Sequence, residues 1–376
     1  VSPLVVLAAG GTGGHMFPAE ALAQALIARG AGVALITDRR GQAFGGSLPA
    51  VAIHRIRASR LPRHTIDRIR AVFDMGLGVL DARLLLRKLR PACIVGFGGY
   101  ASIPTVLAAA WLGTPIVLHE QNAVLGRANR GLARRARVIA TSFPSVQRTP
   151  AGTATRFVGN PVRPGIAAIG GQPYLRPAPD GPFRLLVLGG SQGARVFSEI
   201  VPAAVALLPA AARARLRITQ QCRPEDIEAA RAAYQAAGIN AELSSFFTDV
   251  PARLASCHLA IMRSGASTIA ELGVAGRPAI LAPYPFATDD HQTANAEAYA
   301  AAGGGWVMAQ RMLTPAVLAG RLTDLMAHPD VLASAAEAAR KEGRPDAADR
   351  LSQLVLSYAN ARPSFAAADR LKDAAV

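Results

Sequence analysis

An α/β protein made of two successive doubly wound parallel-sheet domains is what the sequence predicts. Three observations predict it. Short apolar runs alternate with longer stretches of helical period, the alternation restarts in the second half, and each series opens on a strand that runs into a glycine-rich loop. In the first series the runs at 4–9, 33–37, 93–95, 116–119 and 138–140 read as buried strands. The segment 18–29 between them reads as a helix, with Ala21, Leu22, Ala25 and Leu26 on one face and Pro18 opening it. In the second series the strands fall at 183–188, 216–219, 259–262 and 279–282, with helices near 195–208, 224–237 and 266–275. The proline-rich turn Gly159-Asn160-Pro161-Val162-Arg163-Pro164 separates the two series. The expected domains are therefore 1–162 and 163–344, with a helix at about 345–361 packing back on the first domain and 362–376 as a tail.

Composition narrows the class. Three widely spaced cysteines, Cys93, Cys222 and Cys257, support neither a disulfide framework nor a zinc site, and a reducing, cytoplasmic setting follows. No charge occurs from Ala92 to Leu118, a stretch longer than the roughly 20 residues a bilayer needs. Glycines and prolines divide that stretch at 96–99, 104 and 113–115, so it reads as strand, loop, helix, turn and strand of a buried sheet. The opening residues lack a basic stretch and are not expected to be a signal peptide. Of the net charge of +16, residues 1–162 carry +14, from 20 Lys and Arg against 6 Asp and Glu. A basic excess confined to one half points to an anionic surface as partner. Aromatics are 5% and no nucleic-acid motif accompanies the charge, so an anionic membrane surface is expected and nucleic acid is not.

Glycine loops carry the chemistry. The first strand ends in Gly10-Gly11-Thr12-Gly13-Gly14-His15, where bare backbone N–H groups and a helix N-terminus suit an anion. A dinucleotide fingerprint fails because Met16 stands where its third glycine belongs, and no Gly-Lys-Ser/Thr follows to make a P-loop. The second series repeats the device with Gly189-Gly190-Ser191-Gln192-Gly193-Ala194-Arg195, so both loops are expected to face a shared cleft. A third turn, Arg263-Ser264-Gly265-Ala266-Ser267-Thr268-Ile269-Ala270-Glu271, suits a diphosphate. Glu271 there either accepts the two hydroxyls of a ribose or merely complements the helix dipole. Asp289-Asp290-His291 reads as capping the helix that holds Gln292 rather than as a metal site; no metal or other cofactor is expected.

Six motifs in order, the Gly-Gly-Thr-Gly-Gly-His loop, Gly96-Phe97-Gly98-Gly99-Tyr100, His119-Glu120-Gln121-Asn122, Gly159-Asn160-Pro161-Val162-Arg163, the Gly189–Arg195 loop and Arg263-Ser264-Gly265, resemble the MurG family of peptidoglycan glycosyltransferases. The resemblance spans residues 10 to about 300. It implies a GT-B fold of two Rossmann-like domains and transfer of N-acetylglucosamine from UDP-N-acetylglucosamine, with inversion. The implied acceptor is undecaprenyl-diphosphate-linked N-acetylmuramoyl-pentapeptide, met at the cytoplasmic face of the bacterial inner membrane. It implies donor contacts from the first domain by Thr12, Gly13, Gly14 and Asn122, and from the second by Arg163, Ser191, Phe247, Ala266, Ser267, Thr268, Ile269, Ala270, Glu271 and Gln292. Two positions depart from the family. Phe247 stands where an aliphatic residue is usual, and Gln221-Cys222-Arg223 where Ser-Gly-Lys is common.

An inverting transfer needs a base for the acceptor hydroxyl. His15 is the first candidate by position and residue type, against a simple role as hydrogen-bond partner of loop or phosphate; Glu120 is the alternative base or a structural carboxylate. Rival readings are another GT-B enzyme with a lipid acceptor, a UDP-N-acetylglucosamine 2-epimerase, and a non-catalytic nucleotide-sugar binder. Finally, residues 66–90 carry Ile69, Phe73, Leu77, Val79 and Leu80 beside Arg63, Arg68, Arg70, Arg83, Arg87 and Lys88. That set is either an interfacial anchor or the core face of a helix.

Overall fold

The computed structural model describes residues 2–10, 13–38, 51–58, 65–190 and 193–361, and the side chains of all but 65–70 among them. Thr12, Ser191 and Arg63, the side chains of Ile69, Arg68 and Arg70, and the tail 362–376 lie outside the described residues. The chain forms two compact units. One holds residues up to Gln121, Leu125–Pro161 and the chain from Asp346 onward; the other holds Asn122–Val124 and Val162–Pro345.

The first unit runs β1 (Leu4–Ala8), α1 (Gly13–Ala28), β2 (Gly32–Thr37), β3 (Ala52–Arg55), α2 (Thr65–Leu89), β4 (Cys93–Gly96), α3 (Ser102–Trp111), β5 (Ile116–Glu120), α4 (Arg127–Leu132), β6 (Val138–Thr141) and β7 (Thr155–Phe157). Its described strands pair in parallel in the order β3-β2-β1-β4-β5-β6-β7. Alternation along β1 makes the layers. Val5 and Leu7 pack with α1 on one face, while Val6 packs with Ala82 and Leu86 of α2 and Val106 of α3 on the other. The α1 face is completed by the last helix, α14 (Ala347–Asn360), through Leu351, Val355 and Ala359.

The second unit runs α5 (Pro164–Ala167), β8 (Phe183–Leu188), α6 (Arg195–Ala206), α7 (Ala210–Arg215), β9 (Leu216–Gln221), α8 (Ile227–Ala236), β10 (Glu242–Ser244), α9 (Val250–Ser256), β11 (Leu259–Met262), α10 (Ala266–Ala275), β12 (Ala279–Leu281), α11 (His291–Ala301), β13 (Gly305–Val307), α12 (Pro315–Ala327) and α13 (Pro329–Glu342). Its parallel order is β10-β9-β8-β11-β12-β13. Phe183, Leu185 and Val187 of β8 meet Phe197 and Val201 of α6, Tyr234 of α8 and Leu318 and Leu322 of α12 in one cluster.

Two expectations need correction. Helix α1 starts at Gly13, so Pro18 lies inside it rather than opening it. Glycines read as loop in sequence, yet here they supply the first helical turn, whose N–H groups have no intrahelical acceptor in any case. Asp290 does occupy the N-cap position of α11, but in a left-handed conformation and without capping a backbone N–H. Its carboxylate accepts instead from the Thr293 hydroxyl at 2.7 Å.

Candidate active site

Both sheets reverse their winding at a definable point, β1/β4 in the first unit and β8/β11 in the second. Crevices beyond the carboxyl ends of strands at such a point are where open α/β sheets bind ligands. The sequence motifs fall there. After β1 come Gly13, Gly14 and His15 in the first turn of α1, after β4 come Gly98 and Gly99, and after β5 comes Gln121. After β8 come Gly189 and Gly190, and after β11 the turn Arg263–Gly265 into α10.

In the first unit His15 belongs to a bonded set. Its Nδ1 lies 3.0 Å from Oε1 of Gln121. Nε2 of Gln121 lies 3.0 Å from both Nδ1 and the carbonyl oxygen of His119. Nε2 of His119 is 3.2 Å from the carbonyl of Gly159. His119 is fully buried, and burial pushes its imidazole down to about 4, so it is neutral near pH 7. Gly99 has a φ of +71°, and a Cβ on it would stand 3.3 Å from Cδ2 and 3.5 Å from Nε2 of His15. Glycine therefore serves both the backbone turn and the open edge of the imidazole.

Glu120 is differently placed. It is buried, and its Oε2 accepts from the backbone N–H of Gly126 and from Nδ2 of Asn129, both at 2.9 Å. The same Asn129 amide reaches the His119 carbonyl at 3.1 Å. Glu120 thus ties together the loop that follows β5.

In the second unit the donor candidates gather around α10. Gly265 is its N-cap, so the N–H groups of Ala266, Ser267 and Thr268 point outward from the first turn. Ser267 Oγ is buried with no hydrogen-bond partner among the described residues. One turn on, Oε1 of Glu271 accepts from Nε and Nη2 of Arg163 at 3.1 and 2.9 Å. The Glu271 side chain is 14% exposed, and burial pushes its carboxyl up while Arg163 draws it back. Gln292 in α11 accepts from the backbone N–H of Tyr284 through its side chain and from the Ser264 hydroxyl through its carbonyl. Asn122, expected with the first domain, falls instead in this unit, its Oδ1 accepting from Asn295 at 3.1 Å. The Phe247 ring is buried beneath the Arg253 guanidinium, 4.1 Å away, which leaves its backbone as the part able to meet a ligand. Among the described residues no group of three or more His, Cys, Asp or Glu is placed to hold a metal ion.

A separate surface runs along α2. Ala71, Gly78, Ala82 and Leu86 face inward, and Phe73, Leu80 and Leu84 form an exposed stripe at spacings of seven and four. Phe73 and Leu84 are 66% and 67% exposed. Leu77 and Val79 are half-buried, Val79 against the core, so the apolar set read in the sequence divides between the two faces. Trp111, also exposed, lies under the Arg83 guanidinium at 4.3 Å, and Arg87, Lys88 and Arg90 stand exposed at the end of the helix. No described helix is long and apolar enough to cross a membrane.

Sequence reasoning missed Asn129, Asn295 and the role of Gln121. The first two lie outside the glycine motifs, and only the fold brings them to the strand ends.

Comparison with known proteins identifies the family. Residues 5–141 match the glycosyltransferase family 28 N-terminal domain and residues 184–351 its C-terminal domain. The chain is 58% identical over 357 residues to the UDP-N-acetylglucosamine–N-acetylmuramyl-(pentapeptide) pyrophosphoryl-undecaprenol N-acetylglucosamine transferase of Rhodospirillum centenum, covering 94% of each. It is 57% identical to the protein of that name from Rhodospirillum rubrum, covering 95% of this chain and 92% of that one. The crystal structure of Acinetobacter baumannii MurG superposes with a TM-score of 0.79 at 31% identity, over 94% of this chain and 99% of that one. A UDP-GlcNAc 2-epimerase from Neisseria meningitidis shares the fold alone, at 11% identity and a TM-score of 0.65. With two parallel-sheet units, glycine loops at both winding reversals and this likeness along nearly its whole length, the chain belongs to the MurG family of GT-B glycosyltransferases.

Proposed function

We propose that the protein transfers N-acetylglucosamine from UDP-N-acetylglucosamine to the 4-hydroxyl of undecaprenyl-diphosphate-linked N-acetylmuramoyl-pentapeptide, with inversion at the anomeric carbon. The observation that carries this is 58% identity over 94% of the chain to a transferase named for that donor and acceptor. In this reaction Nε2 of His15 takes the proton of the acceptor hydroxyl as its oxygen attacks the anomeric carbon. The bond from that carbon to UDP breaks, and the charge left on the diphosphate falls on backbone N–H groups at the start of α10 and in the Gly189–Gly193 loop. Arg163 adds a cation there, and Ser191 and Thr12 belong to the same donor set.

Glu271 receives the ribose hydroxyls. Nε and Nη2 of Arg163 both use Oε1, and Oε2, which takes no hydrogen bond among the described residues, receives the ligand. Phe247 offers its backbone to the uracil, Gln292 and Asn122 hold the sugar end, and Gly13 and Gly14 approach the diphosphate. His15 is preferred to Glu120 as base because Glu120 already accepts two hydrogen bonds while buried.

The enzyme works as a peripheral protein on the cytoplasmic face of the inner membrane. The apolar stripe of α2 enters the interface, and the +14 of residues 1–162 supplies attraction of about 1 kcal/mol per basic residue near an anionic leaflet. One experiment tests both parts. Radiolabel transfer from UDP-N-acetylglucosamine is followed to a lipid-linked muramoyl acceptor in anionic vesicles and to a short-chain, water-soluble analogue. Absence of product with both acceptors refutes the activity. The variant Phe73→Ser is expected to lose about tenfold or more with vesicles, since burying such a side chain is worth roughly 1.5–3 kcal/mol. Equal loss with the soluble acceptor refutes the membrane role.

A further inference from the structure

The hydrogen bonds behind His15 run in one direction, and that direction decides which ring nitrogen is free. A carbonyl oxygen only accepts, so the amide nitrogen of Gln121, not its oxygen, must face the His119 carbonyl 3.0 Å away. The same nitrogen reaches Nδ1 of His119, which is therefore an acceptor. A neutral imidazole with an accepting Nδ1 carries its proton on Nε2, and there it meets a second obligate acceptor, the Gly159 carbonyl at 3.2 Å. Two backbone carbonyls thus fix the amide independently. They leave Oε1 of Gln121, which has no proton to give, pointing at Nδ1 of His15. Nδ1 of His15 must then be the protonated nitrogen. Nε2 has no hydrogen bond to any described residue, and the missing side chain of Gly99 keeps that edge of the ring uncovered.

We propose that Gln121 is a positioning residue for the transfer: its carboxamide, oriented by His119, holds His15 as the Nδ1–H tautomer and so keeps the lone pair on Nε2. This rests on the reading of His15 as the base. A base whose second nitrogen is held by another group is a recurring device of enzyme sites. Here the holding group is neutral, so it selects the tautomer without placing a second ionisable group beside the donor's diphosphate.

The test is nitrogen-15 NMR of the full chain labelled at histidine, recorded where His15 is neutral and assigned by loss of its signals in His15→Gln. The expected spectrum shows a protonated, pyrrole-type Nδ1 and a bare, pyridine-type Nε2 for His15. A predominantly Nε2-protonated His15 in the wild type overturns the proposal and needs no variant to fold. In Gln121→Met the signals should move toward the Nε2–H form, with kcat falling about 10²-fold, at the low end for losing a general base, and the donor KM unchanged. Wild-type kcat in folded Gln121→Met also overturns it. The base reading fails separately: full turnover in His15→Ala removes His15 from the chemistry while leaving the tautomer result in place.

Discussion

The two winding reversals of this protein are built from opposite materials. In the first unit the groups around His15 are neutral and bonded to one another in a closed series ending on the Gly159 backbone. In the second the central pair is charged: Arg163 lies on Oε1 of Glu271, and Oε2 takes no hydrogen bond among the described residues. The difference fits the two tasks proposed for them. A proton acceptor must be held in one orientation and one tautomer, which a fixed network does well. A site for a dianionic nucleotide must admit and release charge, and Arg163, 37% exposed against 14% for Glu271, is the ion that water and ligand can reach.

Replacing His15 is the sharpest way to break that contrast. His15→Ala is expected to lower kcat by about 10²–10⁴, the range for a lost general base, with donor binding largely kept. If steady-state kinetics show donor affinity collapsing while turnover at saturation survives, His15 binds donor and the two regions share one task. Next in size, Glu271→Ala should raise the donor KM tenfold or more, because hydrogen bonds to a charged group are worth roughly 1.5–3 kcal/mol each. An unchanged Kd by titration calorimetry removes the ribose from Glu271.

The smallest effect compares the buried histidine of each unit. His119 accepts at Nδ1 from Gln121, and His258 accepts at Nδ1 from the backbone N–H of Arg184. Burial is the main cause that pushes both imidazoles down to about 4. The folded state thus resists protonation that the unfolded chain accepts from 6.5 downward. Their stabilisation is fully present above pH 6.5 and is lost as pH falls toward 4. The limiting slope is about 1.4 kcal/mol per pH unit for each histidine. Urea denaturation between pH 7 and 5 should show the decline, and His258→Gln should remove one histidine's share of it. Identical slopes for variant and wild type contradict this.

Much of this was legible in the sequence because buried parallel strands are unbroken apolar runs. The predicted strand at 183–188 coincides with β8 and that at 259–262 with β11. Strands β3, β7, β10 and β13 were not legible. All are three or four residues long, all four are sheet edges, and none is fully buried, so they carry no apolar run to notice. The site shows a similar limit. Period-2 alternation sets His119 and Gln121 on one side of the chain with Glu120 on the other. That Gln121 then meets His15, 106 residues away, depends on β4 lying between β1 and β5, which no local pattern records.

Helix α14 has a consequence for how the protein comes into being. Leu351, Val355 and Ala359 complete a hydrophobic cluster whose other members come from β1, α1 and the early strands. On a ribosome those early segments emerge first but lack their last layer until the whole second unit has been made. At 5–20 residues per second, the interval from Phe157 to Ala347 occupies roughly 10–40 s. Throughout it the part of this face that α14 covers stays open, which is the condition under which chaperones engage and chains misassociate. The second unit, continuous from Val162 to Pro345 apart from the three residues 122–124, has no such wait. The half that is written first is therefore the half that finishes last.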